Sequence, residues 1–251
     1  MLKLWWEFIL RPEVLWEAGD LRMALPVVMV TANASGAVKA AKNGDVVVIV
    51  DVIDMSTTLE TALEAGACGV FGACPDGQKV PVKVCPETIG RTAGELAVNY
   101  GCEVVIISEP RSGTDEVRRE RCATVIKGVA AAGARVTAVV PNIGAETANL
   151  VDFNNKVVVA VTNSGGVAFD AAFQAGAEVF TATVARTLKM KGAEPARKGI
   201  QRVCAYALDA GKDITFVAAS GNALEDVLAA QYLAQEIIAE GFLNPVKKAF
   251  G

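Results

Sequence analysis

The chain has 251 residues, 52% of them hydrophobic and 21% charged, with a net charge of −4. Its apolar residues fall in many short runs, none near the roughly 18–20 consecutive residues that cross a bilayer, and no stretch gathers the Lys and Arg that track a nucleic-acid backbone. The absence of histidine excludes Ser-His-Asp and Cys-His catalysis and His-ligated metals, which leaves carboxylates, Lys, Arg, Cys, hydroxyls or a metal held by oxygen.

Residues 1–22, MLKLWWEFILRPEVLWEAGDLR, carry all three tryptophans, Trp5, Trp6 and Trp16. Arg11, Pro12 and Glu13 stand where a signal peptide would place a small-residue cleavage site. Pro12, Glu13 and Gly19 mark the start and end of a helix. The segment is predicted to be an amphipathic extension that packs on the body of the protein or on a partner subunit. Its polar face lacks the Lys/Arg richness of a membrane-surface helix. A homo-oligomer with a contact through residues 1–22 is the expected assembly.

From Met23 onward the pattern is regular. Strands are predicted at 26–30, 46–52, 69–73, 103–109, 135–140, 156–162, 178–182 and 213–219, as near-continuous Val/Ile runs of the kind buried on both faces. Helices are predicted at 56–66, 87–100, 115–133, 166–175, 195–210 and 223–241. This alternation predicts an α/β fold for residues 23–251, a single domain with a largely parallel sheet flanked by helices and built from βαβ units. An internal repeat supports it: NGDVVVIVDVIDMSTTLETALEAGACGVFGA resembles NNKVVVAVTNSGGVAFDAAFQAGAEVFTA. Each copy reads strand, polar turn, Ala-rich helix, strand. The six cysteines (68, 74, 85, 102, 122 and 204) form no CxxC pair and read as small core residues of a reduced, cytoplasmic protein.

Ligands of open α/β sheets bind beyond the carboxyl ends of the strands, and four predicted strand ends carry polar residues. They are Asp51-Val-Ile-Asp54-Met-Ser56-Thr57-Thr58, Ser108-Glu109-Pro-Arg111-Ser-Gly113, Thr162-Asn163-Ser164-Gly165-Gly166, and Ser220-Gly221-Asn222-Ala-Leu-Glu225-Asp226. Three of them open helices, where free amides and the helix dipole favour an anion. Ser56, Thr58, Ser164 and Asn222 also serve as ordinary helix caps without a ligand, and Glu225 and Asp226 suit the first turn of any helix. Acids facing anion-binding turns suggest Mg²⁺ bridging to a phosphate. Neither the glycine-rich phosphate loop nor a dinucleotide fingerprint is present.

VVVIVDVIDMSTTLETALEAGA resembles the 2-phosphosulfolactate phosphatase family, whose hallmark is a strand running into DVLRASTT and a helix ending in AGA. SEPRSG is similar to that family's GER-G segment, PNIGAETANLVDFNNKVVVAVTNSGG to its GNSP segment and following TTNGT strand, and GKDITFVAASGNALEDVLAAQYLAQEI to its late strand and helix. The resemblance covers residues 24–240 and implies a Mg²⁺-dependent hydrolase in coenzyme M biosynthesis, acting on a small anionic phosphorylated hydroxy acid. It places Asp51, Ser56, Thr57, Thr58, Glu109, Arg111, Asn142, Thr162, Asn163, Glu225 and Asp226 on the family's motif positions. From residue chemistry, Asp51, Glu109 and Asp226 are the expected metal ligands. Asp51, Asp54, Glu109, Arg111 and Glu225 are the expected catalytic set. Ser56, Thr57, Thr58, Asn142, Thr162, Asn163, Ser164, Gly165 and Asn222 are expected to bind substrate. Asp54 stands where the family pattern has Arg, and NSGG (163–166) replaces NGT. The alternative expectation is therefore a non-catalytic anion-binding or regulatory relative.

Overall fold

A computed structural model describes residues 26–53 and 55–244. The tryptophan-bearing extension and Asp54 lie outside the described residues. In chain order the elements are β1 (Val28–Ala32), α1 (Asn33–Asn43), β2 (Val46–Val50), α2 (Met55–Glu64), β3 (Gly69–Ala73), α3 (Pro86–Tyr100), β4 (Glu103–Ser108), α4 (Asp115–Arg121), α5 (Ala123–Ala131), β5 (Val136–Pro141), a 3-10 turn (Gly144–Asn149), β6 (Lys156–Val161), α6 (Gly165–Gln174), β7 (Val179–Thr181), α7 (Glu194–Ala210), β8 (Ile214–Ala218) and α8 (Leu224–Ala239).

All strand pairs are parallel, but the strands part into two four-stranded sheets, β1-β8-β2-β7 and β3-β6-β4-β5. Of the eight runs that read as buried on both faces, the four central strands are so: every residue of β2 and β8 is buried, and so is each residue of β4 and β6 after the first, whereas the edge strands β1, β3, β5 and β7 stay partly open. These Val/Ile strands meet helices on either side, as a parallel sheet requires.

The two sheets are interlocked. The first half of the chain, β1 to α5, and the second, β5 to α8, repeat the same order of elements. Reading β5-β4-β6-β3 against β1-β8-β2-β7 shows one order with the halves exchanged. Each sheet joins the first two strands of one half to the last two strands of the other. The chain crosses between sheets through α2 and returns through α6, so neither half completes a sheet alone. The internal repeat corresponds to these two crossings, β2-α2-β3 and β6-α6-β7. Matching positions include the left-handed glycines Gly66 and Gly176 (φ 95° and 91°) and Gly101 and Gly211 (φ 64° and 61°), where helices end.

Three elements differ from the sequence reading. The first strand runs Val28–Ala32 rather than 26–30, because pairing with β8 sets Val28 opposite Ile214 and Ala32 opposite Ala218. Helix α1 was not expected from NASGAVKAAKN, whose buried residues are the alanines Ala37, Ala40 and Ala41. The helix expected over 115–133 is broken at Cys122 (φ −121°, ψ 17°). Asp76 sits at the break: its amide donates to the Arg121 carbonyl at 2.8 Å, and its Oδ2 accepts from the Thr124 amide at 2.8 Å. A loop residue thus ends one helix and caps the next.

Helices α3 and α5 approach backbone to backbone. A Cβ on Gly90 would lie closer than 3.0 Å to the Val125 carbonyl oxygen, and one on Gly128 closer than 3.0 Å to the Glu87 carbonyl oxygen. Gly128→Ala gains about 1 kcal/mol of helix propensity but forces the helices apart, at a cost of about 1–3 kcal/mol from overpacking. A net loss of stability is expected in urea denaturation, whereas Lys127→Ala, one residue away on the exposed face, should stay within about 0.5 kcal/mol of the parent.

Candidate functional site

The loops that follow β2 and β6 meet where the two crossings pass. Asp51, at the end of β2, is buried, and its Oδ2 accepts the Gly165 amide at 2.9 Å. A Cβ on Gly165 would fall closer than 3.0 Å to that carboxylate oxygen, and one on Gly166 closer than 3.0 Å to the Ala73 carbonyl. The Gly165-Gly166 pair therefore lets the start of α6 close on Asp51 and on β3.

Most hydroxyls expected to hold substrate are engaged within this junction. Ser56 Oγ donates to the Ile49 carbonyl at 2.9 Å and accepts from the Asp51 amide at 3.0 Å. Thr57 Oγ1 donates to the Val52 carbonyl at 2.5 Å and lies 2.8 Å from Thr183 Oγ1. Thr58 Oγ1 donates to Asn142 Oδ1 at 2.6 Å. Thr162 Oγ1 accepts from the Gly166 amide at 2.8 Å. All four residues are buried, so they pin the strand-to-helix turns. Asn142 is fully buried, and its Nδ2 finds no hydrogen-bond partner among the described residues.

The last polar strand end divides. Asp226 is buried; its Oδ1 accepts from the Val52 amide at 2.9 Å and its Oδ2 from the Ser220 amide at 3.3 Å, joining the loops after β2 and β8. Glu225 is exposed in the first turn of α8, where a carboxylate faces the positive helix end. Asn222 is exposed, its amide donating to Ser220 Oγ at 3.2 Å. Ser164 takes the N-cap position of α6 without a side-chain cap.

The open cleft lies beyond β4 and β6. Its volume is about 380 Å³, and Glu109, Pro110, Arg111, Val117, Arg121 and Asn163 line it. Arg111 reaches across to the β2 loop, its Nη2 donating to the Ile53 carbonyl at 2.8 Å. Arg121 Nη2 donates to Asn163 Oδ1 at 2.5 Å, and Gln78 Nε2 donates to the Asn163 carbonyl at 3.0 Å. Two guanidiniums thus share a small space with one carboxylate and a braced amide. Of the predicted residues, the structure brings Glu109, Arg111 and Asn163 together here.

The sequence reading missed Arg121 and Gln78. Arg121 sits in DEVRRER, which reads as a solvated charged helix, and only the fold selects which of its arginines meets Asn163. Nothing in the polar loop sequence marks Gln78.

Of the three carboxylates expected to hold Mg²⁺, Asp226 is committed to two backbone amides. Among the described residues no group of three or more His, Cys, Asp or Glu side chains is arranged to hold a metal. Asp51 and Glu109 keep the hard-oxygen chemistry that suits Mg²⁺, which takes one or two carboxylates and completes its shell with water and phosphate oxygens.

An acid that the sequence reading missed lies behind the site. Asp170, the repeat partner of Glu60, is fully buried in α6. Its Oδ1 accepts from the Cys85 amide at 2.8 Å and its Oδ2 from the Cys74 amide at 3.3 Å, so one carboxylate fastens both ends of the loop that carries Gln78. Burial pushes its pKa up to about 6, against the lowering effect of those amides. Burial, reinforced by Asp170 and Asp76, lifts the Cys74 thiol to about 11, and burial lifts Cys122 likewise. Neither is a thiolate at neutral pH. None of the six cysteines is in a disulfide.

Because the folded pKa of Asp170 lies above the ordinary aspartate value of 3.8, the native state binds the extra proton between the two. This group's contribution to stability therefore falls as pH rises from about 4 to 6, by on the order of 2–3 kcal/mol. Asp170→Asn should flatten that part of the profile, measured as urea midpoints from pH 4 to 7.

Comparison with known proteins returns no match: no family model matches the chain, and neither does any curated protein or solved structure.

Proposed function

We propose that the protein hydrolyses the phosphate ester of a small phosphorylated hydroxy acid bound in the cleft beyond β4 and β6. The observation that carries this reading is the pairing of Arg111 and Arg121 with Glu109 in one cleft of about 380 Å³. That volume suits a small metabolite, and two guanidiniums suit a multiply charged one, since Arg binds phosphate and carboxylate through paired, charge-assisted hydrogen bonds.

Phosphoryl transfer rests chiefly on positioning and charge stabilisation. Arg111 and Arg121 neutralise the phosphoryl oxygens as charge builds on them. Asn163, braced by Arg121 and Gln78, holds its position without reorganising. Glu109 accepts a hydrogen bond from the attacking water and orients it toward phosphorus. Glu109, the carboxylate that lines the cleft, would hold Mg²⁺, which supplies further neutralisation of phosphate charge when bound.

The test is phosphate release from 2-phosphosulfolactate and a panel of phosphorylated hydroxy acids, with Mg²⁺ and then with EDTA. Release from one member and its loss in EDTA are expected. Arg121→Ala should lower kcat/KM about 10–100-fold, in keeping with a lost charge-assisted hydrogen bond. Glu109→Gln should lower kcat by about 10²–10⁴ while the protein still binds the substrate. Binding of a panel member by calorimetry without turnover would support the non-catalytic relative; neither binding nor turnover would remove the assignment of the cleft.

A further inference from the structure

An uncovered apolar face lies on the other sheet. Among the described residues strand β1 lies at the sheet edge and pairs only with β8; Val27 and Met29 on one side of it and Val30 on the other are 45%, 36% and 42% exposed. Helix α8 packs on β1 and β8 through Ala229, Ala230 and Leu233. Its opposite side carries Leu224, Leu228 and Tyr232, which are 67%, 53% and 37% exposed. Their spacing of four residues aligns them in one stripe. A helix that is apolar on both sides belongs between two layers, and an open hydrophobic edge strand invites pairing unless something covers it.

We propose that residues 1–22 of the same chain cover this face. The described chain begins at Pro26, immediately before Val27 and hence at the exposed edge itself. The 22 residues of that segment include Trp5, Trp6, Phe8, Ile9, Leu10 and Trp16, an apolar supply matched to a bare apolar stripe. Sixteen-residue α8 is about 24 Å long at 1.5 Å per residue. The segment reaches its whole length in either helical or extended form, tethered by only residues 23–25. Intramolecular docking from so short a tether proceeds at a high effective concentration, which favours this occupant over a second molecule.

Every tryptophan of the protein lies in the segment, so tryptophan emission of the full chain reports on it alone. Docking predicts blue-shifted emission, weak acrylamide quenching and no dependence on protein concentration. Leu228→Glu should move the emission to the red and raise quenching severalfold, with the circular dichroism of the body unchanged. Leu224→Glu, at the most exposed position, gives the same readout with the least risk to folding. Solvated tryptophans in the parent protein, or emission that neither substitution changes, would overturn the proposal. So would a blue shift that appears only with rising concentration and a dimer mass in light scattering, which assigns the face to a second copy. A blue shift that appears only with phosphatidylcholine–phosphatidylglycerol vesicles would overturn it in favour of a lipid surface.

Discussion

The contact on which the molecule turns is the one between the Asp51 carboxylate and the Gly165 amide. The chain crosses from one sheet to the other through α2 and returns through α6, and the two crossings pass at this point. A side chain at residue 165 would hold them apart; a missing acceptor at residue 51 would leave a buried amide unsatisfied, at a cost of about 1–3 kcal/mol. Glycine on one loop and a carboxylate on the other meet both demands. The interlocked sheets follow, because strands β3 and β7 reach their partners only if the crossings close. The cleft follows too, since its Asn163 and Arg111 sit on loops anchored to that junction.

The same device recurs across the fold. Asp226 takes the amides of Val52 and Ser220, Asp170 those of Cys74 and Cys85, and Glu64 those of Lys189 and Met190. Each carboxylate offers both oxygens to backbone amides: Asp226 ties the loops after β2 and β8, Asp170 the two ends of one loop, and Glu64 two successive residues. A protein of small Ala and Val side chains brings its backbones close together, and the amides of its loops then need acceptors where water does not reach. A carboxylate meets that need more strongly than a neutral group does. This explains why an acid at a strand end is here so often a tie between loops, and why the open cleft keeps a single carboxylate beside its two arginines.

What was legible in the sequence follows from the same division. Buried strands such as VVVIV and KVVVAV announce themselves because burial on both faces demands unbroken apolar runs. The pairing of the two repeats was legible in the order of their residues. The partition into two sheets was not, because hydrophobic runs do not say which strand lies beside which; only the exchange of strands between halves settles it. Helix α1 was invisible because it packs chiefly through alanines and Val38 is its one larger apolar residue. Among the site residues, Glu109, Arg111 and Asn163 were found from their position after strands. Ser56, Thr57, Thr58 and Thr162 were named for the same reason and instead hold turns, since a hydroxyl after a strand satisfies its own backbone as readily as a ligand.

The exchange of halves sharpens where chemistry can lie. The strand order places the ends of β4 and β8 in equivalent corners, one in each sheet, beside β6 and β2 respectively. Had both corners kept the same function, both would carry the same side chains. They do not. After β4 stand Glu109, Pro110 and Arg111, with Arg121 arriving from α4, and a cleft stays open. After β8 stand Ser220, Gly221 and Asn222, and Asp226 from α8 closes on the backbone, while the Gly221 amide donates to Asn33 Oδ1 at 2.9 Å. The second corner has exchanged ligand space for internal hydrogen bonds. One half of the duplicated frame therefore supplies the rigid abutment, and the other presents the charged groups. A small anion entering the open corner meets arginines whose supports are already fixed, which is the arrangement that turns binding energy into orientation rather than into ordering the protein.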